Sequence, residues 1–449
     1  MQMFFLIKTK LMKKRYWLTV LGLQLLTLTA SAQLTKVQKD QTIDSVLKVI
    51  TERYVFPDAA KKIEAFVRKQ QAAKAYEAIT DGQQFAARLT QDLRTVNNDK
   101  HINLEYSPQA MPPEEERELM SIPASEKEGY AQMMKHLNYG IRKVDVLKGN
   151  IGYLDFEFLT SPELAGDTYA AAMNYLAHTG ALIIDLRNCG GSMSPDAIPF
   201  LCSYFFENPV HLVDWYWRKN NTIKQAWTYS YVPGKKYLNK PIYVLISNKT
   251  FSGAEELAYD LQNLKQATII GQPSGGGANP GGFLRVTDHF RMFVPIGQAI
   301  SPITKTNWEG VGVKPDTLIN TKLALNKAHM MGITHTINNT DIEPWKQALQ
   351  GWLKELEESK LLLKPVTFEL KDFPNAKEVY VVGSFNDWTA DSHKMQRKGT
   401  SWVLTTEAEP GKVSYKFIVD GKWITDPANT ATETDGPHVN SVKYVSKEF

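Results

Sequence analysis

The chain has 449 residues, of which 43% are hydrophobic and 22% are charged. This length exceeds what one hydrophobic core supports, so more than one domain is expected. Lysine and arginine number 52 against 48 aspartates and glutamates, and this near balance excludes the strongly basic composition of a nucleic-acid-binding protein. The two cysteines, Cys189 and Cys202, are too few for a disulfide-stabilised scaffold; they could form one bridge or remain free buried thiols.

The N-terminus has the three parts of a secretory signal peptide. Four cations lie between Lys10 and Arg15, an apolar run follows over 17–29, and Ala30-Ser31-Ala32 is a small-residue cleavage site. We therefore expect a signal peptide at 1–32, cleavage after Ala32, and a periplasmic or secreted protein without a stable membrane span. The alternative is an uncleaved anchor, but the apolar run is shorter than the roughly 20 residues that a membrane span requires.

The segment 33–105 has the pattern of an N-terminal helical domain. Apolar residues recur at spacings of three and four, beginning around Ile43. Pro57 and the turn cluster 80–82 divide this pattern into three predicted helices. A charged stretch over 107–128 follows, and we interpret it as a loop or lid.

Residues 106–335 have the texture of an α/β domain. Short apolar runs rich in β-branched residues alternate with helical segments, which predicts a layered fold whose strands are buried on both faces. The predicted strands are 150–158, 181–186, 241–247, 267–271 and 291–295, and the predicted helices are 164–178, 196–206 and 253–264.

The last part of the chain differs in pattern. An amphipathic helix within 336–363 is expected to serve as a linker. From 364 to 449 no helical periodicity remains, and short alternating strands are separated by turn clusters such as Asp420-Gly421. This pattern predicts a small immunoglobulin-like β-sandwich.

Ser252 is the first candidate for chemistry. It follows a predicted buried strand and a short turn, and a predicted helix begins directly after it. The N–H groups and the dipole of a helix N-terminus stabilise developing negative charge, so this is a suitable place for a nucleophile. The alternative is structural, because Ser252 followed three residues later by Glu255 also fits a capping box.

Three further segments could supply the rest of a hydrolytic centre. Gly190 and Gly191 follow a buried strand and could direct backbone N–H groups toward an oxyanion. His101 lies between the helical and α/β regions and could exchange protons with a serine near neutral pH. Glu309 could orient the imidazole as the third group of a triad. Each signal is weak alone, because paired glycines also form plain turns and a single histidine is usually structural.

The joint order of these segments resembles the tail-specific (C-terminal processing) protease family, in the branch of the tricorn core protease and the interphotoreceptor retinoid-binding protein repeats. The resemblance spans 34–319 and rests on Asp-x-His, Asp-Leu-Arg-Asn-x-Gly-Gly, Thr-Phe-Ser-Gly-Ala-Glu-Glu and Glu-Gly-x-Gly-Val-x-Pro-Asp. It implies a crotonase-like core of β-β-α units, with Ser252 as nucleophile, His101 as general base and Glu309 as its orienting partner. It also implies an oxyanion hole formed by the amides of Gly253, Gly190 and Gly191.

Two departures from the family pattern bear on mechanism and substrate. Members with a Ser-Lys dyad carry a lysine downstream of the serine, but 271–279 contains none, which favours a Ser-His-Glu triad. The PDZ segment that grips a substrate C-terminus is missing, because only a short stretch separates His101 from the strand at Val144. Peptides or unfolded protein segments are the expected substrates.

The glycine-rich loop over 275–282 lacks the lysine and the following helix of a phosphate cradle. We interpret it as a flexible rim of the site. No cluster with metal-ligand spacing is evident, so neither a cofactor nor a metal is expected.

The segment 364–449 resembles the glycogen-binding domain of the AMP-activated protein kinase β subunit, on the basis of 379–388, 415–423 and Asp426-Pro427. The resemblance implies that two tryptophans stack on sugar rings while a lysine and an asparagine bind hydroxyls, at Trp388, Trp423, Lys416 and Asn440. The loop over 435–438 lacks the apolar residue that binding members insert into the glucan. The alternative is a structural or docking domain with both tryptophans in its core.

Together these patterns favour an exported serine peptidase that forms an acyl-enzyme on Ser252. The alternative is a catalytically inactive hydrolase scaffold that presents a glycan-binding β-sandwich. Retention of serine, histidine and glutamate favours the enzyme. The expected partners are a peptide or unfolded protein substrate and, for the sandwich, an α-glucan or another glycan.

Overall fold

The computed structural model describes residues 33–112, 126–358, 363–386, 388–390, 392–436 and 438–446. The predicted signal peptide at 1–32 and part of the predicted lid, 113–125, lie outside the described residues. Within the described ranges, no helix combines the length and the apolar character that crossing a bilayer requires.

The described residues form nine α-helices. They are α1 (Lys36–Arg53), α2 (Pro57–Ala72), α3 (Gly82–Arg94), α4 (Lys127–His136), α5 (Pro162–Leu176), α6 (Ala197–Cys202), α7 (Gly253–Asn263), α8 (Thr321–Asn338) and α9 (Glu343–Glu358).

The strands of the N-terminal and central parts are β1 (Asn103–Tyr106), β2 (Ile141–Leu147), β3 (Ile151–Phe156), β4 (Ala181–Asp185), β5 (His211–Trp217), β6 (Thr222–Trp227), β7 (Ile242–Ile246), β8 (Thr268–Gly271), β9 (Gly281–Arg285), β10 (Phe290–Pro295), β11 (Gly297–Ile300) and β12 (Thr317–Leu318). The strands of the C-terminal part are β13 (Lys364–Leu370), β14 (Val379–Gly383), β15 (Gln396–Lys398), β16 (Ser401–Ala408), β17 (Gly411–Val419), β18 (Lys422–Ile424), β19 (Thr432–Asp435) and β20 (His438–Val445).

A six-stranded sheet in the order β12-β8-β7-β4-β3-β2 forms the centre of the molecule. Strands β3, β4, β7, β8 and β12 are parallel neighbours, and β2 pairs antiparallel with β3. One face packs against α5, α6 and α7, and the other packs against α8 and α9. Every residue of β4 and β7 is buried, which confirms the predicted α/β layers and their doubly buried strands.

Helix α8 was not predicted, and its packing explains why. Its contact face contains the small residues Ala324, Ala328 and Gly332, which give little hydrophobic periodicity. A side chain at Gly332 would come within 3.1 Å of Ile151 on β3, so the glycine allows close approach of helix and sheet. Helix α9 buries Leu349 in the same layer. The predicted linker helix is therefore part of the α/β layer.

The N-terminal helices share their core with a small sheet. Sheet β1-β10-β9 contributes Phe290, Met292 and Val294 to the cluster that contains the apolar face of α1, such as Ile43 and Leu47. The predicted helices exist, but they do not enclose a separate core. This shared core places the end of α3 and the segment after it beside the α/β layers.

The C-terminal part is a β-sandwich. One sheet has the order β13-β16-β15, and the other has the order β14-β17-β20-β19 with β18 added to β17. Their facing side chains, including Phe368, Val381 and Phe417, form one cluster. The first strand of the sandwich, β13, begins at Lys364.

Candidate active site

Ser252 lies in a sharp turn between β7 and α7. Its φ is 53° and its ψ is −126°, a backbone conformation that costs a non-glycine residue about 1–3 kcal/mol and persists only where its surroundings hold it. The Glu255 amide donates to the Ser252 carbonyl at 2.8 Å. The Ser252 hydroxyl lies 3.2 Å from His101 Nε2. Ser252 is thus the N-cap residue of α7, and its hydroxyl also faces the His101 imidazole.

His101 reaches this turn from the segment between α3 and β1. Its ring lies between Phe251, at a centroid distance of 4.7 Å, and Phe293, which stacks on it at 5.5 Å. Burial, and to a lesser degree the Arg94 guanidinium, lowers the pKa of His101 to about 4. The imidazole is therefore neutral at neutral pH and able to accept a proton. Nδ1 is buried without a hydrogen-bond partner in the described structure.

Glu309 lies next to His101 without a hydrogen bond to it. Its Oε2 accepts the amides of Ala278 at 2.6 Å and Asn279 at 3.2 Å. Its Oε1 is buried and has no partner in the described residues. One side-chain atom from each of Glu309, His101 and Asp99, a ring nitrogen or a carboxylate oxygen, lies within 4.8 Å of the other two. Three expected members of a triad are thus brought together, with an unpredicted fourth group among them.

Asp99 is that fourth group. It is 1% exposed, its Oδ2 accepts the Tyr54 hydroxyl at 2.9 Å and its Oδ1 accepts the His101 amide at 3.1 Å. Asp99 is the aspartate of the Asp-x-His segment, but its spacing from His101 gives no hint that it also lies near Glu309. Outside this cluster, no described group of His, Cys, Asp and Glu side chains is close enough to hold a metal ion.

The paired-glycine turn supplies one free amide rather than two. The Gly190 amide donates to the Glu157 carbonyl at 3.0 Å, so it is not free to bind an oxyanion. The Gly191 and Gly253 amides donate to no carbonyl in the described part of the chain. A Cβ at Gly191 would lie 3.0 Å from Ser252 Cβ. Of the three expected oxyanion donors, Gly253, Gly190 and Gly191, only Gly191 and Gly253 therefore have amides that are free in the described part of the chain.

Glu255 connects the serine turn to the glycine-rich loop. Oε2 accepts the amides of Ser252 and Gly277, each at 2.8 Å. Oε1 accepts the Ser274 hydroxyl at 2.5 Å and the Gly276 amide at 2.6 Å. Burial raises the pKa of Glu255 to about 7, while these hydrogen bonds lower it. The loop does form a rim of the site, but these bonds tie it down. The capping interpretation and the catalytic one therefore describe parts of one structure.

The two cysteines take no part in this site. Cys189 and Cys202 are both buried and free. Burial raises the pKa of the Cys202 thiol well above its ordinary value and also raises that of Cys189. Both thiols are therefore protonated and unreactive at neutral pH.

In the sandwich, Lys416, Asn440 and Trp423 lie on the side of the second sheet that points away from the core, although Asn440 itself is only 4% exposed. The register Tyr415↔Ser441 places Lys416 opposite Asn440, and Trp423 pairs with Ile418 on the same face. Trp423 is 45% exposed, and Trp388 is half-buried in the turn after β14. Neither tryptophan belongs to the core cluster, which removes the main support for a purely structural role.

Three family models match successive parts of the chain. The model of peptidase family S41 matches 150–319, and the N-terminal domain of peptidase S41 in eukaryotic IRBP matches 28–148. The glycogen recognition site of AMP-activated protein kinase matches 364–449. These matches define a serine-type peptidase with a C-terminal carbohydrate-recognition module. The chain belongs to peptidase family S41.

Individual relatives and solved structures are similar to parts of the chain. The 5'-AMP-activated protein kinase subunit beta-1 of Sus scrofa is 30% identical over 107 residues, which are 23% of this chain and 84% of the relative. The chain spans only 38% of the human beta-1 subunit, at 30% identity. Among solved structures, a lipoprotein from Streptococcus agalactiae aligns over 71% of this chain and 96% of its own, with a TM-score of 0.42 and 16% identity. A putative peptidase from Parabacteroides merdae aligns over 63% and 90%, with a TM-score of 0.43 and 16% identity.

Proposed function

We propose that this protein is an exported peptidase that hydrolyses peptide bonds through an acyl-enzyme on Ser252. The observation that carries the proposal is the 3.2 Å separation of Ser252 Oγ and His101 Nε2, which is hydrogen-bonding distance for a nucleophile and its base. Export is supported by the signal-peptide pattern at 1–32.

In the first step, His101 Nε2 takes the proton of the Ser252 hydroxyl as Oγ attacks the substrate carbonyl carbon. The resulting oxyanion accepts hydrogen bonds from the Gly191 and Gly253 amides, which have no other described acceptor. His101 then gives the proton to the leaving amine, and the C–N bond breaks. In the second half of the reaction, His101 takes a proton from a water molecule as the water oxygen attacks the acyl carbon. The ester bond then breaks, and His101 returns the proton to Ser252 Oγ.

Glu309 is proposed to steady the imidazole during both proton transfers. Glu309 Oε1 and His101 Nδ1 are both without partners, so a small adjustment on substrate binding would pair them. Catalytic hydrogen bonds are often long in the free enzyme and shorten in the complex. An ionised Glu309 would then accept a hydrogen bond from Nδ1–H and stabilise the imidazolium.

The substrate is proposed to be a peptide or an unfolded protein segment. Peptide-bond hydrolysis is the activity of the family to which 28–148 and 150–319 belong. Because the chain lacks a recognisable PDZ segment, selection for free C-termini is not part of the proposal.

A fluorophosphonate probe tests whether Ser252 is an activated nucleophile. Wild-type protein is expected to be labelled covalently, and Ser252→Ala to lose the label completely. Ser161→Ala is the matched control, because Ser161 also precedes a helix and should be dispensable for labelling. Absence of labelling in the wild type, or labelling that survives in Ser252→Ala, would favour the inactive binding protein.

The sandwich is proposed to bind an α-glucan through Trp388, Lys416, Trp423 and Asn440. The supporting observation is that Lys416 and the exposed ring of Trp423 share one outward face, where Asn440 lies opposite Lys416 and is 4% exposed. An indole in this position can stack on the apolar face of a sugar, and a lysine and an asparagine can bind its hydroxyls.

Affinity electrophoresis through glycogen-containing gels checks this second activity. Wild-type migration is expected to be retarded, and Trp423→Ala to weaken binding by about 10-fold or more, as for a central stacking residue. Tyr231→Ala is the control, because Tyr231 is 76% exposed but lies in the α/β part. Wild-type mobility that glycogen does not change would refute glucan binding and leave the peptidase proposal intact.

A further inference from the structure

Two unpartnered atoms belong to residues of the same side-chain cluster at the site. His101 Nδ1 and Glu309 Oε1 are both buried without a hydrogen-bond partner in the described structure. Each belongs to the three-residue cluster whose ligand atoms lie within 4.8 Å of one another. Whether a hydrogen bond forms between these two atoms depends on their protonation. Two unprotonated acceptors repel each other, whereas a protonated atom can donate to an unprotonated one.

The third member of the cluster, Asp99, differs from Glu309 in its surroundings. Asp99 accepts hydrogen bonds from the Tyr54 hydroxyl, the His101 amide and, at 3.5 Å, the Asn279 side chain. Glu309 accepts two amides on one oxygen and nothing on the other. Two buried carboxylates this close do not readily ionise together. The carboxyl with more donors ionises first, so Asp99 carries the charge and Glu309 keeps the proton.

The charged and titratable groups on the neighbouring elements favour the same distribution. From α3, Arg94 donates to the carbonyls of Lys100 and Ile102 and attracts the negative charge of Asp99. From α7, Glu255 adds repulsion at Glu309. At the end of α1, burial keeps the pKa of Tyr54 far above its ordinary value, so this residue remains a hydrogen-bond donor. Burial first, and Asp99 second, raises the pKa of Glu309 well above its ordinary range.

The protonation state of Glu309 decides which nitrogen of His101 can act. A protonated Glu309 would donate to Nδ1, and the imidazole proton would then reside on Nε2, facing Ser252. Such a histidine cannot accept the serine proton. An ionised Glu309 would instead accept a hydrogen bond from Nδ1–H, which keeps the imidazole proton on Nδ1 and leaves Nε2 free as the base.

We propose that Asp99 is a positioning residue that sets the protonation state of Glu309 and, through it, the tautomer of His101. This inference rests on the proposed function of Ser252 and His101. It assigns Asp99 a role that proximity to His101 in sequence does not reveal. Activation of the nucleophile then requires loss of the Glu309 proton, and Asp99 postpones that loss to higher pH.

The test is the pH dependence of the second-order rate constant for fluorophosphonate labelling. In wild-type protein the rate is expected to rise with pH as Glu309 ionises. Asp99→Asn removes the neighbouring charge and keeps the shape, so the midpoint of this rise should move to lower pH by about one pH unit, even if the plateau rate falls. Glu309→Gln should abolish the rise.

The matched control is Asp92→Asn. Asp92 is also buried and also accepts a tyrosine hydroxyl, that of Tyr76 at 2.8 Å, but it is not in the cluster with His101. The midpoint of the rise in labelling rate with pH should be the same in Asp92→Asn as in the wild type. A slower Asp99→Asn with an unmoved midpoint would mean that Asp99 only holds the backbone. That result, or a midpoint that moves to higher pH, would overturn the inference.

A second measurement separates this inference from the proposed function. Nitrogen-15 chemical shifts of isotope-labelled histidines report the tautomer without any catalysis. The His101 signals are assigned by their disappearance in His101→Gln. We expect the Nε2–H form at neutral pH in the wild type and the Nδ1–H form in Asp99→Asn. The same tautomer in both proteins would overturn the role of Asp99, whatever the labelling shows. Loss of labelling alone would overturn only the proposed function.

Discussion

Replacing His101 with alanine is expected to lower kcat for peptide hydrolysis by about 10⁴–10⁶-fold. His101 is the only described histidine whose ring nitrogen lies within hydrogen-bonding distance of Ser252 Oγ, at 3.2 Å. Without it the hydroxyl has no base, and the hydroxyl itself is a weak nucleophile at neutral pH. A residual rate should remain, because the Gly191 and Gly253 amides can still stabilise the oxyanion.

The variant needs two controls, since the His101 ring also packs between Phe251 and Phe293. His335→Ala removes an exposed histidine from α8 and should leave kcat unchanged. His101→Gln keeps part of the packing volume and should be as inactive as His101→Ala. Thermal unfolding measured in parallel reports any loss of fold. Hydrolysis by a folded His101→Ala at more than about one hundredth of the wild-type rate would rule out His101 as the general base.

The second large effect is expected from Glu255→Ala. This change leaves the amides of Ser252, Gly276 and Gly277 without the acceptor that they have in the wild type. Each unsatisfied buried donor costs about 1–3 kcal/mol, so the loss of an acceptor for three donors should lower the free energy of unfolding by at least about 3 kcal/mol. Labelling of Ser252 should also be lost, because the same carboxylate holds the strained serine turn.

Guanidinium chloride unfolding measures the stability change. Glu255→Gln keeps one acceptor oxygen, so its loss should be smaller than that of Glu255→Ala. Glu256→Gln is the matched control from the same helix, because Glu256 is also buried but has an oxygen without a partner. Burial and the nearby Asp260 raise its pKa well above the ordinary value, which favours the neutral form, so the neutral amide should change stability by less than about 1 kcal/mol. Equal losses in Glu255→Ala and Glu256→Gln would refute the specific role of Glu255.

The layered fold and the serine turn could be predicted from the sequence because their signals are local. Strands such as Ala181–Asp185 and Ile242–Ile246 are continuous apolar runs, since parallel strands buried on both faces need no polar side. Ser252 is marked by a strand, a turn and a helix in succession. His101 and Glu309 were found through motif order rather than through any physical signal of their own.

Features that depend on partners distant in sequence were missed or misassigned. Gly190 looked equivalent to Gly191, but the Glu157 carbonyl occupies its amide. Helix α9 looked like a linker because its amphipathic pattern does not say which surface its apolar face will meet. Asp99 had no apparent role, since its proximity to Glu309 arises only when the helical segment and the loop after β11 pack together.

The sequence by itself determined the buried strands of the central sheet, the serine turn and the short alternating strands of the C-terminal part. These follow from backbone preference and from the period of apolar residues, which act over a few positions. Only the tertiary structure decided which amides remain free, that Glu255 ties the serine turn to the glycine-rich loop, and that two carboxyl groups lie beside one imidazole. Hydrogen-bond partners and protonation states depend on burial and on distances between remote segments, and no local pattern encodes them.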